Sequence, residues 1–169
     1  MNNRTCCHQK QPSHLDFQRL QHELRCWLRG FRFDHFVTLA SNHQPLKYPR
    51  MRELLKQWDA RVNREINGPR WSKRPDERLL WVAFPEKLDV NPHWHLVVQA
   101  RSNIENLPRQ ERTLQLPQIA EKHWLRLVPQ GSFNCQDIED HKVFDYITKV
   151  TDRDNLFRKF VVSKEFLKS

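Results

Sequence analysis

The sequence predicts an α+β fold in which helices cover a central antiparallel β-sheet. Two observations lead to this prediction: segments with apolar residues at helical spacing alternate with strand-like segments, and two strand-like segments lie close enough to form a hairpin. With 169 residues, 38% of them hydrophobic, the chain can bury one core without disulfide or metal staples. We therefore expect a single domain over residues 1–169, with residues 1–13 as a flexible leader.

The first half of the chain predicts helix, strand and helix. Apolar residues at helical spacing indicate an amphipathic helix from His14 to Phe31, and aromatic and β-branched residues then indicate a strand from Phe33 to Ala40. A second helix is predicted from Pro49, ending at the Asn67-Gly68-Pro69 sequence. The expected core positions of these helices are Leu15, Leu20, Leu24, Leu28, Phe31, Met51, Leu54, Leu55, Trp58, Val62 and Ile66.

The second half begins with two apolar segments, Leu79 to Phe84 and His93 to Val98, which predict buried strands paired as an antiparallel hairpin. The following pattern predicts, in order, a short helix around Pro117 to Trp124, a strand within Leu125 to Asn134, a helix from Gln136 to Val150 and an edge strand at Phe160 to Val162.

The charge balance makes nucleic acid the first partner to consider. Lys and Arg number 29 against 20 Asp and Glu, a formal net charge of +9 that attracts polyanions. In the loop after the second helix, Arg70, Lys73 and Arg74 surround Trp71, a mixture that could hold a phosphate backbone and offer one stacking platform. An ordinary solvated loop is the alternative interpretation.

The cysteines and the hydropathy indicate a soluble, cytoplasmic protein. The four cysteines include no C-x-x-C pair and imply no disulfide framework, which suits a reducing compartment. The sequence has no signal-peptide-like segment and no apolar run long enough to span a bilayer, so no membrane partner is expected.

A candidate metal site lies in the predicted hairpin. Side chains alternate faces along a strand, so His93 and His95 point the same way, about 7 Å apart, and can share one ion. Glu86 ends the preceding strand, and the turn can bring its carboxylate back to the pair. Two imidazoles and one carboxylate leave coordination positions open, as a catalytic metal site requires. Taken alone, the H-x-H pair could equally be core or surface.

A tyrosine and two lysines share one face of the predicted helix Gln136 to Val150. Tyr146 and Lys149 are three residues apart, and Lys142 lies one turn before Tyr146 on the same side. We consider Lys142 a further contact for nucleic acid. The alternative is a half-buried tyrosine with solvated lysines around it.

Three short motifs, in order along the chain, resemble those of the HUH endonucleases, specifically the replication initiator (Rep) branch. They are FVTLA at Phe36 to Ala40, PHWHLVV at Pro92 to Val98 and YITK at Tyr146 to Lys149. The middle motif of that family is two histidines around a bulky hydrophobic residue, which here is Trp94. Each motif alone is unspecific, whereas the ordered set covers most of the chain.

The resemblance implies a fold related to the ferredoxin-like split βαβ arrangement and a nickase activity on single-stranded DNA. Glu86 would be the third, acidic metal ligand, and Tyr146 would attack a phosphodiester, giving a 5′-phosphotyrosine and a free 3′-hydroxyl. Lys149 would position the tyrosine or balance charge. Lys149 and Val150 stand where some members carry a second tyrosine, so a single-tyrosine enzyme is expected.

The resemblance and the ligand types together predict the cofactor and partners. Nitrogen and oxygen ligands, with phosphate oxygens in the open positions, favour Mn²⁺ or Mg²⁺. The DNA would be an origin or hairpin of a plasmid, phage or mobile element that replicates by a rolling-circle route. A glycine-rich phosphate loop is absent from the sequence, so a separate helicase and polymerase are expected.

Two other functions fit part of the pattern. A zinc hydrolase can also use two histidines and a glutamate, but leaves Tyr146 and Lys149 without a role. A catalytically silent DNA-binding module on the same fold would have no need of a complete set of Glu86, His93, His95, Tyr146 and Lys149.

Overall fold

A computed structural model, which describes residues 14–42, 46–100, 113–150 and 159–167, contains one five-stranded antiparallel sheet and four α-helices. The predicted α+β class is thus confirmed. The helices are α1 (His14–Arg29), α2 (Tyr48–Asn67), α3 (Leu116–Leu127) and α4 (Lys142–Val150). The strands are β1 (His35–Ala40), β2 (Leu80–Glu86), β3 (His93–Gln99), β4 (Ser132–Asp137) and β5 (Val161–Val162).

The sheet order is β4-β1-β3-β2-β5, with β3 at its centre. The elements from β1 to β4 follow the order β1-α2-β2-β3-α3-β4, which is the split βαβ arrangement of ferredoxin-like folds. The predicted hairpin is present as β2 and β3, and Glu86 pairs with His93 at its end.

On one face of the sheet, α2 and α3 pack over the larger core. The indole N–H of Trp58 in α2 donates to the carbonyl of Ala120 in α3 at 3.0 Å, which joins the two helices. The predicted apolar stripe of α2 is buried as expected. The main helix residues in this core are Met51, Leu54, Leu55, Trp58, Val62, Ile66, Leu116, Ile119, Ala120 and Trp124.

On the opposite face, α1 and α4 cover a smaller core. It consists of Leu28, Phe33, Val82, Phe84, Val97, Phe144 and Ile147. Because side chains alternate along a strand, the position of Val97 on this face places His95 and His93 there as well. The candidate metal ligands thus lie on the face of the sheet that α1 and α4 cover.

The core prediction for α1 was wrong at two positions. Leu15 and Leu20 are 74% and 38% exposed, although both fall on an apparent helical repeat. At 100° per residue, the buried stripe of α1 follows Phe17, Leu24 and Leu28. Leu15 is on the opposite side of the helix and Leu20 on its flank, so the sequence pattern indicated too broad an apolar face.

The region after Pro117 also differs from the prediction. The sequence pattern indicated a strand within Leu125 to Asn134 and a helix from Gln136, whereas α3 extends to Leu127 and α4 begins only at Lys142. Between them, β4 lies at the edge of the sheet, where polar side chains are tolerated and the apolar alternation is weak. The mixed composition therefore concealed the strand.

The turn before β4 depends on Gly131. A Cβ atom at this position would approach the carbonyl oxygen of Ala40 to 2.6 Å, so the backbones of β1 and the turn meet without room for a side chain. Glycine at this position therefore permits β4 to start beside β1.

The remaining expectations concern the ends of the chain. The edge strand expected at Phe160 to Val162 is present as the two residues of β5, which pair with β2. The leader expected over residues 1–13 lies outside the described residues. Among the described helices, none combines the length and apolar character needed to cross a bilayer.

Candidate active site

Glu86, His93 and His95 converge because of the strand register. Glu86 pairs with His93 across the hairpin, and His95 lies two residues further on the same face of β3. The Glu86 Oε2 atom is 3.1 Å from Nε2 of His93 and 2.7 Å from Nε2 of His95. The three potential ligand atoms lie within 4.8 Å of one another, so these residues form a group that could hold a metal ion.

The hydrogen bonds of the His93 ring indicate whether a cation fits between Glu86, His93 and His95. Its Nδ1 is 2.7 Å from the backbone carbonyl of Asn91, which can only accept, so the proton must be on Nδ1. In the neutral ring, Nε2 then presents a lone pair to the carboxylate of Glu86, and two acceptors face each other. A divalent cation between them, or a second proton on the ring, removes this conflict. The donor set therefore fits a metal ion.

Electrostatics at His95 favour its neutral, ligating form. The histidines at 93 and 95 are only 8% and 7% exposed. Burial lowers the pKa of His95, and the neighbouring His93 lowers it further, against the opposing effect of Glu86. A neutral imidazole is the form that binds a metal.

Two residues of β1 surround the His95 ring. The Thr38 hydroxyl lies 3.0 Å from His95 Nδ1, and the Phe36 ring stacks on the imidazole with centroids 5.3 Å apart. The sequence reasoning did not assign a role to either residue. Alternation in β1 places Phe36 and Thr38 on one face, but their position opposite His95 depends on the β1–β3 pairing, which a single sequence does not reveal.

Tyr146 lies directly against this group. In α4, Phe144 and Ile147 are buried against the sheet, which leaves Tyr146 at the edge of the interface with 49% of its surface exposed. Its ring contacts the rings of His95 and Phe36 with centroid distances of 5.8 and 6.1 Å. The structure thus brings the predicted tyrosine and the predicted metal ligands together, with the phenol accessible to solvent.

Contacts between α1 and α4 fix the position of Tyr146. Arg25 donates from Nε to the Thr148 hydroxyl at 2.6 Å and lies 3.3 Å from the Asp145 carboxylate. Gln21 donates to the backbone carbonyl of Thr148 at 2.6 Å. These contacts hold the residues on both sides of Tyr146. No pattern in the sequence indicates these contacts, since they join positions more than a hundred residues apart.

The two lysines of the same helix are on its solvent side. Both Lys142 and Lys149 are exposed, and Lys142 pairs with Asp140 at 3.2 Å. Lys149 is three residues beyond Tyr146 and so lies on a neighbouring part of the helix surface.

The basic loop predicted to bind nucleic acid lies elsewhere. Arg70, Trp71, Lys73 and Arg74 precede β2, whereas Glu86 ends it, and seven residues of strand separate the two by roughly 20 Å. One face of the Trp71 ring is covered by the Arg78 guanidinium, 4.7 Å from its centroid. The single stacking platform expected here is therefore partly used for packing within the loop, and the loop does not contribute to the metal group.

Lys87 is a further residue near the site that the sequence reasoning missed. It directly follows Glu86 and has a φ of 49°, a left-handed conformation that costs a non-glycine residue energy. Its charge contributes to lowering the pKa of His95. Its carbonyl accepts from the backbone N–H of Asn91 at 3.2 Å, so the same turn also sets the carbonyl that orients His93.

A cleft of about 520 Å³ opens beside the site. Phe36 and Val143 line it next to Tyr146, and the segment 136–140, which includes Asp137, Glu139 and Asp140, lines the rest. Its acidic wall is unsuited to phosphate groups, so the lysines beside Tyr146 provide the more favourable approach for a polyanion.

Comparison with protein-family models, with curated proteins and with solved structures finds no match to this chain.

Proposed function

We propose that this protein is a metal-dependent, single-tyrosine nickase of single-stranded DNA, of the HUH Rep type. The observation that carries the proposal is the contact of the exposed Tyr146 ring with His95, within the group formed by Glu86, His93 and His95. A nucleophile and an open ligand set on one site are the two components that phosphodiester transfer to tyrosine requires. The activity would initiate rolling-circle-type replication of a plasmid, phage or mobile element.

The proposed reaction transfers a phosphodiester to Tyr146. The phenol oxygen forms a bond to phosphorus while the bond from phosphorus to the 3′ oxygen breaks. The phenol loses its proton to solvent, and the departing 3′ oxygen takes one up. The product is a 5′-phosphotyrosine with a free 3′-hydroxyl. Reversal of the same step rejoins a strand without ATP, because the phosphodiester energy is retained in the phosphotyrosine bond.

The chain's own residues would favour this step by position and charge. A bound Mn²⁺ or Mg²⁺ held by Glu86, His93 and His95 would polarise a non-bridging phosphate oxygen. His95 and Phe36 support the Tyr146 ring on two sides, so little rotational freedom is lost when the phenol meets phosphorus. Lys149 adds positive charge near the developing negative charge.

The site has one tyrosine, which limits the turnover. The chain contains only two tyrosines, and the other, Tyr48, packs against Trp94 on the opposite face of the sheet. A single protomer can therefore hold one DNA end at a time. Continuous rolling-circle turnover would require either a second protomer or a partner, and unwinding and synthesis would require a separate helicase and polymerase.

The two tyrosines provide a matched test. A diverse pool of single-stranded oligonucleotides, labelled at the 3′ end, is incubated with the protein and Mn²⁺ and resolved on a denaturing gel. The label should migrate with the wild-type protein and with Tyr48→Phe, whose lost hydroxyl donates to the Lys159 carbonyl and interacts with Arg52, away from the site. Tyr146→Phe should lose both cleavage and the adduct, as should the wild type in EDTA.

Each alternative function has its own outcome in this experiment. A zinc hydrolase would cut DNA in the Tyr146→Phe variant and leave no labelled protein. A silent binding module would retain the oligonucleotides on a native gel and yield neither product nor adduct in any variant. Either result would overturn the proposal.

A further inference from the structure

The two histidines of the metal group differ in what lies behind them. Nδ1 of His93 meets the backbone carbonyl of Asn91, which has no proton to give. Nδ1 of His95 meets the Thr38 hydroxyl at 3.0 Å, which can either donate or accept. Among the residues that the structure describes, that hydroxyl forms its hydrogen bond with His95. The two rings therefore have different freedom in placing their proton.

This difference matters because both Nε2 atoms face the same oxygen of Glu86. For His93, the Asn91 carbonyl requires Nδ1–H, so Nε2 carries a lone pair whenever the ring is neutral. For His95, a Thr38 hydroxyl that donates to Nδ1 allows Nε2–H to donate to Glu86 at 2.7 Å, so both ring nitrogens of His95 have partners without a metal. If Thr38 accepts instead, the proton moves to Nδ1 and Nε2 becomes a ligand.

We propose that Thr38 is a positioning residue that lets His95 exchange its tautomer when a metal binds. In the metal-free protein Thr38 donates to Nδ1 and His95 donates from Nε2 to Glu86. In the metal-bound protein the hydroxyl turns and accepts from Nδ1–H, which frees Nε2 for the ion. His93 is a fixed ligand and His95 a conditional one. The inference rests on the metal binding of the proposed function, but not on DNA cleavage.

The proton balance of the exchange is neutral. One proton leaves Nε2 for solvent and one is taken up at Nδ1, so the ring keeps its charge and only the hydroxyl changes direction. A hydroxyl is the smallest side-chain group that serves both states. A carboxylate or carbonyl in its place would fix His95 as a permanent ligand, while an apolar group would leave Nδ1–H unsatisfied in the metal-bound state.

The tautomers can be observed directly by NMR. Protein with ¹⁵N-labelled histidine is recorded at pH 8, first without metal and then with Zn²⁺, a diamagnetic probe. His95 should carry its proton on Nε2 without metal and on Nδ1 with Zn²⁺, whereas His93 should carry it on Nδ1 in both. A His95 ring protonated on Nδ1 in the metal-free protein would overturn the inference.

Two variants test the role of the hydroxyl by Mn²⁺ titration. Thr38→Val keeps the β-branched shape suited to a strand but cannot accept from Nδ1–H, and it should bind Mn²⁺ about tenfold more weakly. Thr38→Ser restores the hydroxyl and should recover most of the affinity. Equal Mn²⁺ affinity of the wild type and Thr38→Val would contradict the proposed role of Thr38. If Thr38→Val does not fold, the NMR result on the wild type decides the inference.

The result is separable from that of the nickase test. If the wild type does not bind Mn²⁺ at all, the metal site and the role of Thr38 both fail. If it binds Mn²⁺ but forms no DNA adduct, only the nickase proposal fails, and the effects of Thr38 on tautomer and affinity still decide this inference.

Discussion

The ring of Tyr146 meets the ring of His95 at an interplanar angle of 74°, with centroids 5.8 Å apart. This edge-to-face contact joins the central strand β3 to the short helix α4. Through it, a change in the packing of α4 moves the tyrosine relative to Glu86, His93 and His95 without altering these three residues. The free energy of unfolding and the proposed nicking activity should therefore respond differently to substitutions in β3 and in α4.

Replacement of Arg25 by Met should loosen α4. The change removes the hydrogen bond to Thr148 and the ion pair with Asp145, and the unfolding free energy should fall by about 1–2 kcal/mol in urea denaturation. Arg19→Met on the same helix removes an exposed pair with Glu23 and should cost less than about 0.5 kcal/mol. Equal effects of the two substitutions would show that the α1–α4 contact does not carry stability.

Replacement of Glu86 by Gln should separate metal affinity from fold stability. The amide can donate to the His93 lone pair, so the metal-free variant should be as stable as the wild type or more stable by about 1 kcal/mol. Excess Mn²⁺ should raise the melting temperature of the wild type and have little effect on the variant, since the charged ligand is lost. These shifts are measured by thermal denaturation with and without EDTA.

A marked loss of stability in the metal-free Glu86→Gln protein would contradict the interpretation that two acceptors face each other in this site.

Replacement of Lys87 by Gly should weaken DNA binding without harming the fold. Glycine adopts the left-handed conformation at this position freely, so the unfolding free energy should stay within about 1 kcal/mol of the wild type. If the ammonium contacts phosphate, the salt dependence of single-stranded DNA binding should become shallower by about 0.7 in logarithmic slope. Fluorescence anisotropy over a range of salt concentrations measures this slope.

The control for Lys87 is Lys56→Gln, which removes an exposed charge from α2, on the other face of the sheet. An equal loss of slope in both variants would indicate that DNA responds to net charge rather than to the site.

The buried Asp59 should give stability an unusual pH dependence. Burial raises its pKa to about 6, against the lowering effects of Arg78, Trp81 and Asn63. The folded protein then binds the proton more tightly than the unfolded chain, whose pKa is near 3.8. The contribution of this protonation is fully present below pH 3.8 and is lost as the pH rises through about 6.

Urea denaturation between pH 4 and pH 7.5 tests this, with Asp59→Asn as the variant that cannot titrate. The wild type's unfolding free energy relative to the variant should decline over that range. A difference that grows with pH would mean that the Arg78 ion pair outweighs burial and that the pKa of Asp59 is lowered instead.

The sequence predicted that Glu86, His93 and His95 would lie together because all three belong to one hairpin. The distance from Glu86 to His93 is fixed by a short turn, and alternation fixes the relation of His93 to His95. The supporting residues could not be predicted in this way. Thr38 and Phe36 reach His95 only through the β1–β3 pairing, and Arg25 reaches α4 across most of the chain.

The errors in the fold prediction have a similar cause. Leu15 has the hydropathy of a core residue, and only the position of α1 on the sheet leaves it exposed. Residues of β4 are polar because they lie at an edge, and edge position is a property of the whole sheet. The role of the basic loop in nucleic-acid binding stays a prediction, and its distance from Glu86 follows from its position before β2.

The central position of β3 implies that the two halves of the site open at different rates. Hydrogen bonds to β1 and β2 protect the backbone of β3 on both sides, so amide exchange at His93 and His95 should require nearly global unfolding. Tyr146 sits on a nine-residue helix with an exposed side, which can detach locally at much lower free energy. In the proposed reaction, a covalently bound DNA end would thus be carried by the part of the site that moves, while the ligands remain fixed in the part that does not.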